Sequence, residues 1–241
     1  MQAENSVLLV QDAFTRYFDT TVWLAWIQVL QRLGLQVLVL PFHINGKALQ
    51  VHGFLGQFQR LVVRNVQFLE QAAAMGIPMV GLDPAMTLVY RQEYPKALKL
   101  RQLPFEVLLP QEYLAKQSER LQAASSDSSE EYVLAGHCTE KTNVPESGQQ
   151  WQDIFADAGL RLRTVNTGCC GMSGTYGHEA EHQALSAQIY AQSWQPMLAQ
   201  QPASQRVLAT GYSCRSQVKR FSDMHLQHPL QVLLQHLSRQ S

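Results

Sequence analysis

Moved along by 125 positions, the first half of this chain lies over its second half: Gly34 falls on Gly159, Leu35 on Leu160 and Gly46 on Gly171. Periodicity agrees with that shift. Residues 6–10 read as a strand, 20–33 as a helix with apolar Val22, Ile27, Leu30 and Leu33, and 35–40 as a second strand. After the midpoint, 132–135, 147–158 and 160–165 repeat strand, helix and strand. Gly34 and Gly159 each stand where a helix ends on a left-handed residue. Further on, 54–75 and 178–200 are long helical stretches, and 77–82 and 206–210 are strands reached with a small insertion. This alternation predicts an α/β fold of two tandem parallel-sheet units, each with helices on both faces. The polar run 117–131 predicts a linker, leaving 1–116 and 132–241 as the two copies.

All four cysteines fall in the second copy: Cys138, the adjacent Cys169 and Cys170, and Cys214. Each follows an apolar run that ends in small or turn-forming residues. Each is therefore placed just beyond the carboxyl end of a predicted strand, where sites form in open parallel sheets. Four convergent thiolates suit a metal centre. The repeat sets Ala13 opposite Cys138, and Ile44 and Asn45 opposite Cys169 and Cys170. The local match of Asp83-Pro84-Ala85-Met86 with Gly211-Tyr212-Ser213-Cys214 sets Met86 opposite Cys214. The first copy thus keeps the frame and lacks every thiol. It is expected to hold no metal and to serve packing or docking.

Composition narrows the function classes. A chain of 241 residues, 46% apolar and 16% charged, can bury a real core. Zero net charge with scattered lysines and arginines argues against a nucleic-acid partner. No apolar stretch approaches the roughly 20 residues of a membrane span. The start, Met1-Gln2-Ala3-Glu4-Asn5-Ser6, lacks the basic-then-apolar order of a signal peptide. A cytoplasmic location is expected, and with it reduced thiols. Structural free thiols and disulfides are the alternatives to a metal, although a bridge between neighbours such as Cys169 and Cys170 would be strained.

Longer runs carry a resemblance that covers nearly the whole chain. Asp12-Ala13-Phe14-Thr15-Arg16-Tyr17-Phe18 and Gly76-Ile77-Pro78-Met79-Val80-Gly81-Leu82-Asp83-Pro84 belong to it in the first copy. In the second copy it rests on His137-Cys138-Thr139-Glu140-Lys141-Thr142, Gly168-Cys169-Cys170-Gly171-Met172-Ser173-Gly174 and Gly211-Tyr212-Ser213-Cys214-Arg215-Ser216-Gln217. Together they resemble the cysteine-rich CCG domain of heterodisulfide reductase subunits, of the iron–sulfur subunits of glycolate oxidase and anaerobic glycerol-3-phosphate dehydrogenase, and of lactate-utilisation proteins. The likeness is greatest to the C-terminal region of bacterial FAD and iron–sulfur D-2-hydroxyacid dehydrogenases, of the D-2-hydroxyglutarate or D-lactate type. The resemblance implies an oxidoreductase part: a cluster-binding electron-transfer domain or subunit that passes electrons from flavin to an external acceptor. Flavin-binding and ferredoxin-like domains are then its partners, and peripheral membrane association is compatible with it. No Gly-x-Gly-x-x-Gly follows a strand here, so FAD is expected on another domain or subunit. The chain reads as a fragment or a small subunit that is not active by itself.

One departure stands out. The family pattern ends in Cys-x-x-Cys, and the last position here is Gln217. Four ligands remain, Cys138, Cys169, Cys170 and Cys214, which suffice for a [4Fe–4S] cube or for zinc. Consecutive side chains diverge, so Cys169 and Cys170 reach two irons more easily than one zinc. Gly171 and Gly174 let backbone amides approach cluster sulfides. His137, next to Cys138, and His178, after the glycine loop, are candidates to sit beside the cofactor, with a satisfied polar histidine as the alternative for each. His182, His225, His228 and His236 read as surface residues. Arg215 and Lys219 follow Cys214 and either offset cluster charge or form a solvated helix face. Tyr176 and Tyr212 flank the site. A zinc-stabilised docking module and a thiol–disulfide reductase, working through Cys169 and Cys170, are the alternative functions.

Overall fold

The computed structural model describes residues 5–124, 128, 130–201 and 206–239. The chain forms two compact units, Met1–Arg120 and Leu121–Ser241. Both are α/β, with parallel strands flanked by helices.

The first unit runs β1 (Ser6–Leu9), α1 (Ala13–Tyr17), α2 (Thr20–Arg32), β2 (Gln36–Val39), α3 (Lys47–Val51), α4 (Leu55–Ala73), β3 (Met79–Val80), α5 (Pro84–Thr87), α6 (Val89–Leu98), β4 (Val107–Leu108) and α7 (Pro110–Leu114). Its sheet order is β2-β1-β3-β4, all parallel. Right-handed crossovers in that order place α2 on one face and α4 on the other. Apolar spacing gives both helices a face to bury. Val22, Ala25, Trp26, Val29 and Leu30 are buried on α2, and Phe58, Val62, Val66 and Leu69 on α4, at three- and four-residue steps. Strand β3 is shorter than the 77–82 run because Pro78 has no N–H for the ladder; its carbonyl still accepts from Leu8 N at 2.9 Å. Strand β4, two residues long before Pro110, carries no periodic signal. Exposed large apolar side chains gather in this unit, Tyr17, Phe18, Ile44, Phe54 and Leu55 among them; Leu185 is the one in the second unit among the described residues.

Within the stretch expected as a linker, 117–131, Ser118–Ala123 forms α8, and its Leu121 is fully buried. Residues 125–127 and 129 of that stretch lie outside the described residues.

The second unit continues with β5 (Glu131–Ala135), α9 (Cys138–Asn143), α10 (Ser147–Asp157), β6 (Arg161–Thr164), α11 (Gln183–Ala199), β7 (Val207–Ala209), α12 (Tyr212–Ser222) and α13 (Pro229–Ser238). Its sheet order is β6-β5-β7, again all parallel. The internal repeat holds in register. Ser6 pairs with Gln36, and Glu131 pairs with Arg161; each partner is shifted by 125. Gly34 and Gly159 close α2 and α10 at φ of 73° and 75°.

Candidate metal centre

Because β5, β6 and β7 are parallel, the loops leaving their carboxyl ends open on one edge. Strand β5 is central, and the chain leaves it toward β6 on one side and returns at β7 on the other. That reversal makes a crevice. Cys138 is the first residue of α9, Cys169 and Cys170 lie in the loop after β6, and Cys214 is the third residue of α12.

The four thiols form a chain. Cys138 hydrogen-bonds Cys169, and Cys170 hydrogen-bonds both Cys169 and Cys214. Cys170 and Cys214 are buried; Cys138 and Cys169 are exposed. The bond to Cys169, then burial, pushes the Cys138 thiol up to about 12. At Cys170 a bond from Cys169 acts to lower the thiol, yet the bond to Cys214 together with burial leaves it raised. Cys138 and Cys170 therefore favour the protonated thiol, and each must release its proton to bind a metal. Among the described residues, no three of the sulfurs lie within 4.8 Å of one another; the one set of ligand atoms that close is Glu179, Glu181 and His182.

The loop carrying Cys169 and Cys170 is held by its carbonyls. Thr167 O accepts from Lys141 Nζ (2.6 Å), Gly168 O from Trp194 Nε1 (3.2 Å) and Cys169 O from Ser193 Oγ (2.7 Å). Cys170 O accepts from Gln217 Nε2 (2.9 Å) and Gly171 O from Ser186 Oγ (2.9 Å). Five consecutive carbonyls are thus fixed by side chains. The amides turn the other way: Gly171 N–H donates to Cys169 Sγ at 3.3 Å, and Met172 N–H to Cys170. Gly171 permits this with φ of 87°, and a Cβ there would overlap the Ser186 carbonyl oxygen. Gly174, at φ of 70°, sits in the turn that lets Gly177 N–H reach Met172 O at 2.9 Å.

His137 caps α9 and so positions Cys138. Its Nδ1 accepts from Thr139 N at 3.2 Å, and its Nε2 meets Ser213 Oγ at 3.2 Å, beside Cys214. Gly211 leaves room for that ring. Glu140 completes a capping box. Its buried carboxylate, raised by burial, accepts from Ser147, Thr210 and Trp151 and from His137 N. One side chain therefore ties the turn after β5 to the turn after β7. Sequence reading missed Glu140, although a cap residue followed three positions later by Glu is its signature. Ser186, Ser193 and Trp194 carry no such signal, because they reach the loop from α11 only once the chain has folded.

Three sequence expectations need correction. Arg215 is not a solvated helix face: it is buried and donates to Ala209 O (2.7 Å) and Thr210 O (2.9 Å) at the end of β7. His228 is buried, not superficial, because its Nδ1 caps α13 by accepting from Leu230 N at 3.1 Å. Burial and the nearby Arg215 charge hold it well below the usual histidine range. His236 is buried on α13's inner face. By contrast, Lys219, His178 and His225 are exposed, while His182, Tyr176 and Tyr212 are half-buried, with Tyr176 stacked on His182 at 3.8 Å.

The first unit repeats the frame without cysteines. Asn45 Nδ2 donates to Met86 O at 3.0 Å and lies 3.3 Å from Met86 Sδ, so the positions opposite Cys170 and Cys214 also meet. Asp12 and Asp83 cap α1 and α5 there. Burial, then the charge of Asp83, pushes the Asp12 carboxyl up to about 6 from 3.8. Its native form keeps a proton that the unfolded chain has already lost, so stability falls as pH rises from about 4 to about 6. About two pH units correspond to roughly 3 kcal/mol. Asn is an equally good cap. In Asp12→Asn that pH dependence is expected to flatten, with a gain in stability at pH 7, read by urea unfolding at a series of pH values.

No family model matches the chain. It is 52% identical over 238 residues to D-2-hydroxyglutarate dehydrogenase of Pseudomonas putida, covering 99% of this chain and 23% of that protein. It is 45% identical to the protein of that name from Escherichia coli, covering 97% and 23%. A subunit of the anaerobic glycerol-3-phosphate dehydrogenase of Escherichia coli is 22% identical over 98% of this chain and 60% of its own length. The chain therefore spans about a quarter of the D-2-hydroxyglutarate dehydrogenases it matches. A hypothetical protein from Helicobacter pylori has a similar fold, with a TM-score of 0.50 at 12% identity over 97% of this chain and 49% of that one. No helix among the described residues is long and apolar enough to cross a membrane.

Proposed function

We propose that this chain is the iron–sulfur electron-relay part of a flavin-dependent D-2-hydroxyglutarate dehydrogenase, with Cys138, Cys169, Cys170 and Cys214 as the ligands of one [4Fe–4S] cluster. The observation that carries the reading is the loop after β6: five consecutive carbonyls are each taken up by a side chain, and the amides of Gly171 and Met172 donate to sulfur. An anionic sulfide centre needs amide donors near it and carbonyl oxygens away from it. The adjacent pair supports a cluster over zinc, because the side chains of consecutive Cys169 and Cys170 diverge and reach two irons more easily than one small ion.

Such a cluster supplies one-electron acceptance and release. Oxidation of the hydroxyacid yields two electrons as a hydride, which flavin can take and pass on singly. The chain's own residues then have three tasks. The four thiols give up their protons and hold the metal. The amides of Gly171 and Met172 donate to sulfur. His137, Glu140 and Gln217 keep the three turns in register, and Gln217 does so from the place where the related pattern has a fifth cysteine. The flavin-binding and ferredoxin-like parts would lie in the three quarters of the related enzymes that this chain does not match. Exposed Tyr17, Phe18 and Ile44 of the first unit are what packing against those parts would cover.

Anaerobic reconstitution with iron and sulfide tests the reading. It is expected to give a broad absorbance near roughly 400 nm that bleaches on reduction. A colourless protein with one tightly held zinc would establish the docking module instead, and disulfide turnover by metal-free protein would establish the thiol reductase.

A further inference from the structure

We infer that Lys141 is a fixed cation that raises the reduction potential of the centre held by the four cysteines; this rests on the reading above. Of the five side chains that hold the loop carbonyls, Lys141 alone is charged. Its stem passes over Gly136, where a Cβ would stand 3.4 Å from its Cγ. Its ammonium ends on Thr167 O, two residues before Cys169, while the residue itself lies three after Cys138. The cation is thus clamped between two ligand-bearing turns. Among the described residues it has no carboxylate partner; neighbouring Glu140 faces Ser147, Thr210 and Trp151. A neutral side chain would serve as a tie, so the charge itself calls for a counter-charge. Four thiolates leave an iron–sulfur cube negative in both oxidation states and more so once reduced. A half-buried cation favours the reduced form. On reduction one electron is gained, and no bond or proton changes hands.

Three variants separate charge from tie. Lys141→Gln keeps a donor for Thr167 O and loses the charge, Lys141→Arg keeps the charge, and Lys141→Met loses both. Each is reconstituted in the full chain, assayed for iron per chain and titrated for its midpoint potential. Lys141→Gln is expected to hold as much iron as the parent with a more negative midpoint, and Lys141→Arg to stay near the parent. Unchanged midpoints in iron-loaded Lys141→Gln and Lys141→Met would overturn the inference while leaving the cluster reading intact. A loss of iron in Lys141→Gln that Lys141→Met shares would make Lys141 a structural tie and also overturn it. Absence of iron from the parent would sink both.

Discussion

Cys214→Ser is expected to lose stoichiometric metal, and so are Cys138→Ser and Cys170→Ser, while Met86→Ala keeps it. The contrast uses the repeat as its own control. Met86 and Cys214 are each the third residue of a helix that follows the third strand of a unit, and each meets the residue opposite the other copy's partner: Asn45 for Met86, Cys170 for Cys214. Removing Met86 takes away core volume in the first unit and no ligand. Removing Cys214 breaks the chain of sulfurs at its buried end. Serine is nearly isosteric with cysteine, so a folding defect is small and the loss reads out as missing metal. Iron and zinc per chain, measured after reconstitution, check it. Full metal content in Cys214→Ser would remove that residue from the ligand set.

The second large effect is expected at Gly171. Alanine there meets two costs at once. Left-handed backbone is unfavourable for a residue with a Cβ by about 1–2 kcal/mol. The added methyl also runs into the Ser186 carbonyl, and overpacking of this kind costs about 1–3 kcal/mol. Gly53 isolates the first cost, since its φ is 77° and nothing stands within 4 Å of its would-be Cβ. Gly53→Ala should therefore lose only about 1 kcal/mol and keep its metal capacity. Gly171→Ala should lose about 2–5 kcal/mol in urea unfolding and bind substoichiometric iron, because the loop cannot keep Gly171 O on Ser186 while turning its amide to Cys169. Equal stability losses in the two variants would mean that the Ser186 contact carries no weight.

How the site could be read differs from residue to residue. The placement of Cys138 and Cys214 beyond strand ends was legible, since each follows a predicted strand; that Cys138 opens a helix was not. Gly171 was marked by its counterpart Gly46, and both have positive φ, at 87° and 79°. Gln217 was legible only as a departure from a pattern; that its amide braces Cys170 and Ser186 depended on α12 packing beside the loop. Arg215 and His228 were misplaced because local polarity says nothing about a carbonyl or a helix end arriving from elsewhere in the fold. The two-residue strand β4 was too short to show a period at all.

Order along the chain, by itself, determined the strand–helix–strand alternation, the repeat at 125 positions and the set of four cysteines with adjacent Cys169 and Cys170. These are local or periodic properties, fixed by side-chain spacing and by glycines that end helices. Only the tertiary structure decided that Thr167 through Gly171 have their carbonyls tied down by Lys141, Trp194, Ser193, Gln217 and Ser186. Those partners lie 15 to 47 residues away, and a hydrogen bond between such distant groups exists only after the parallel sheet has brought its loops to one edge.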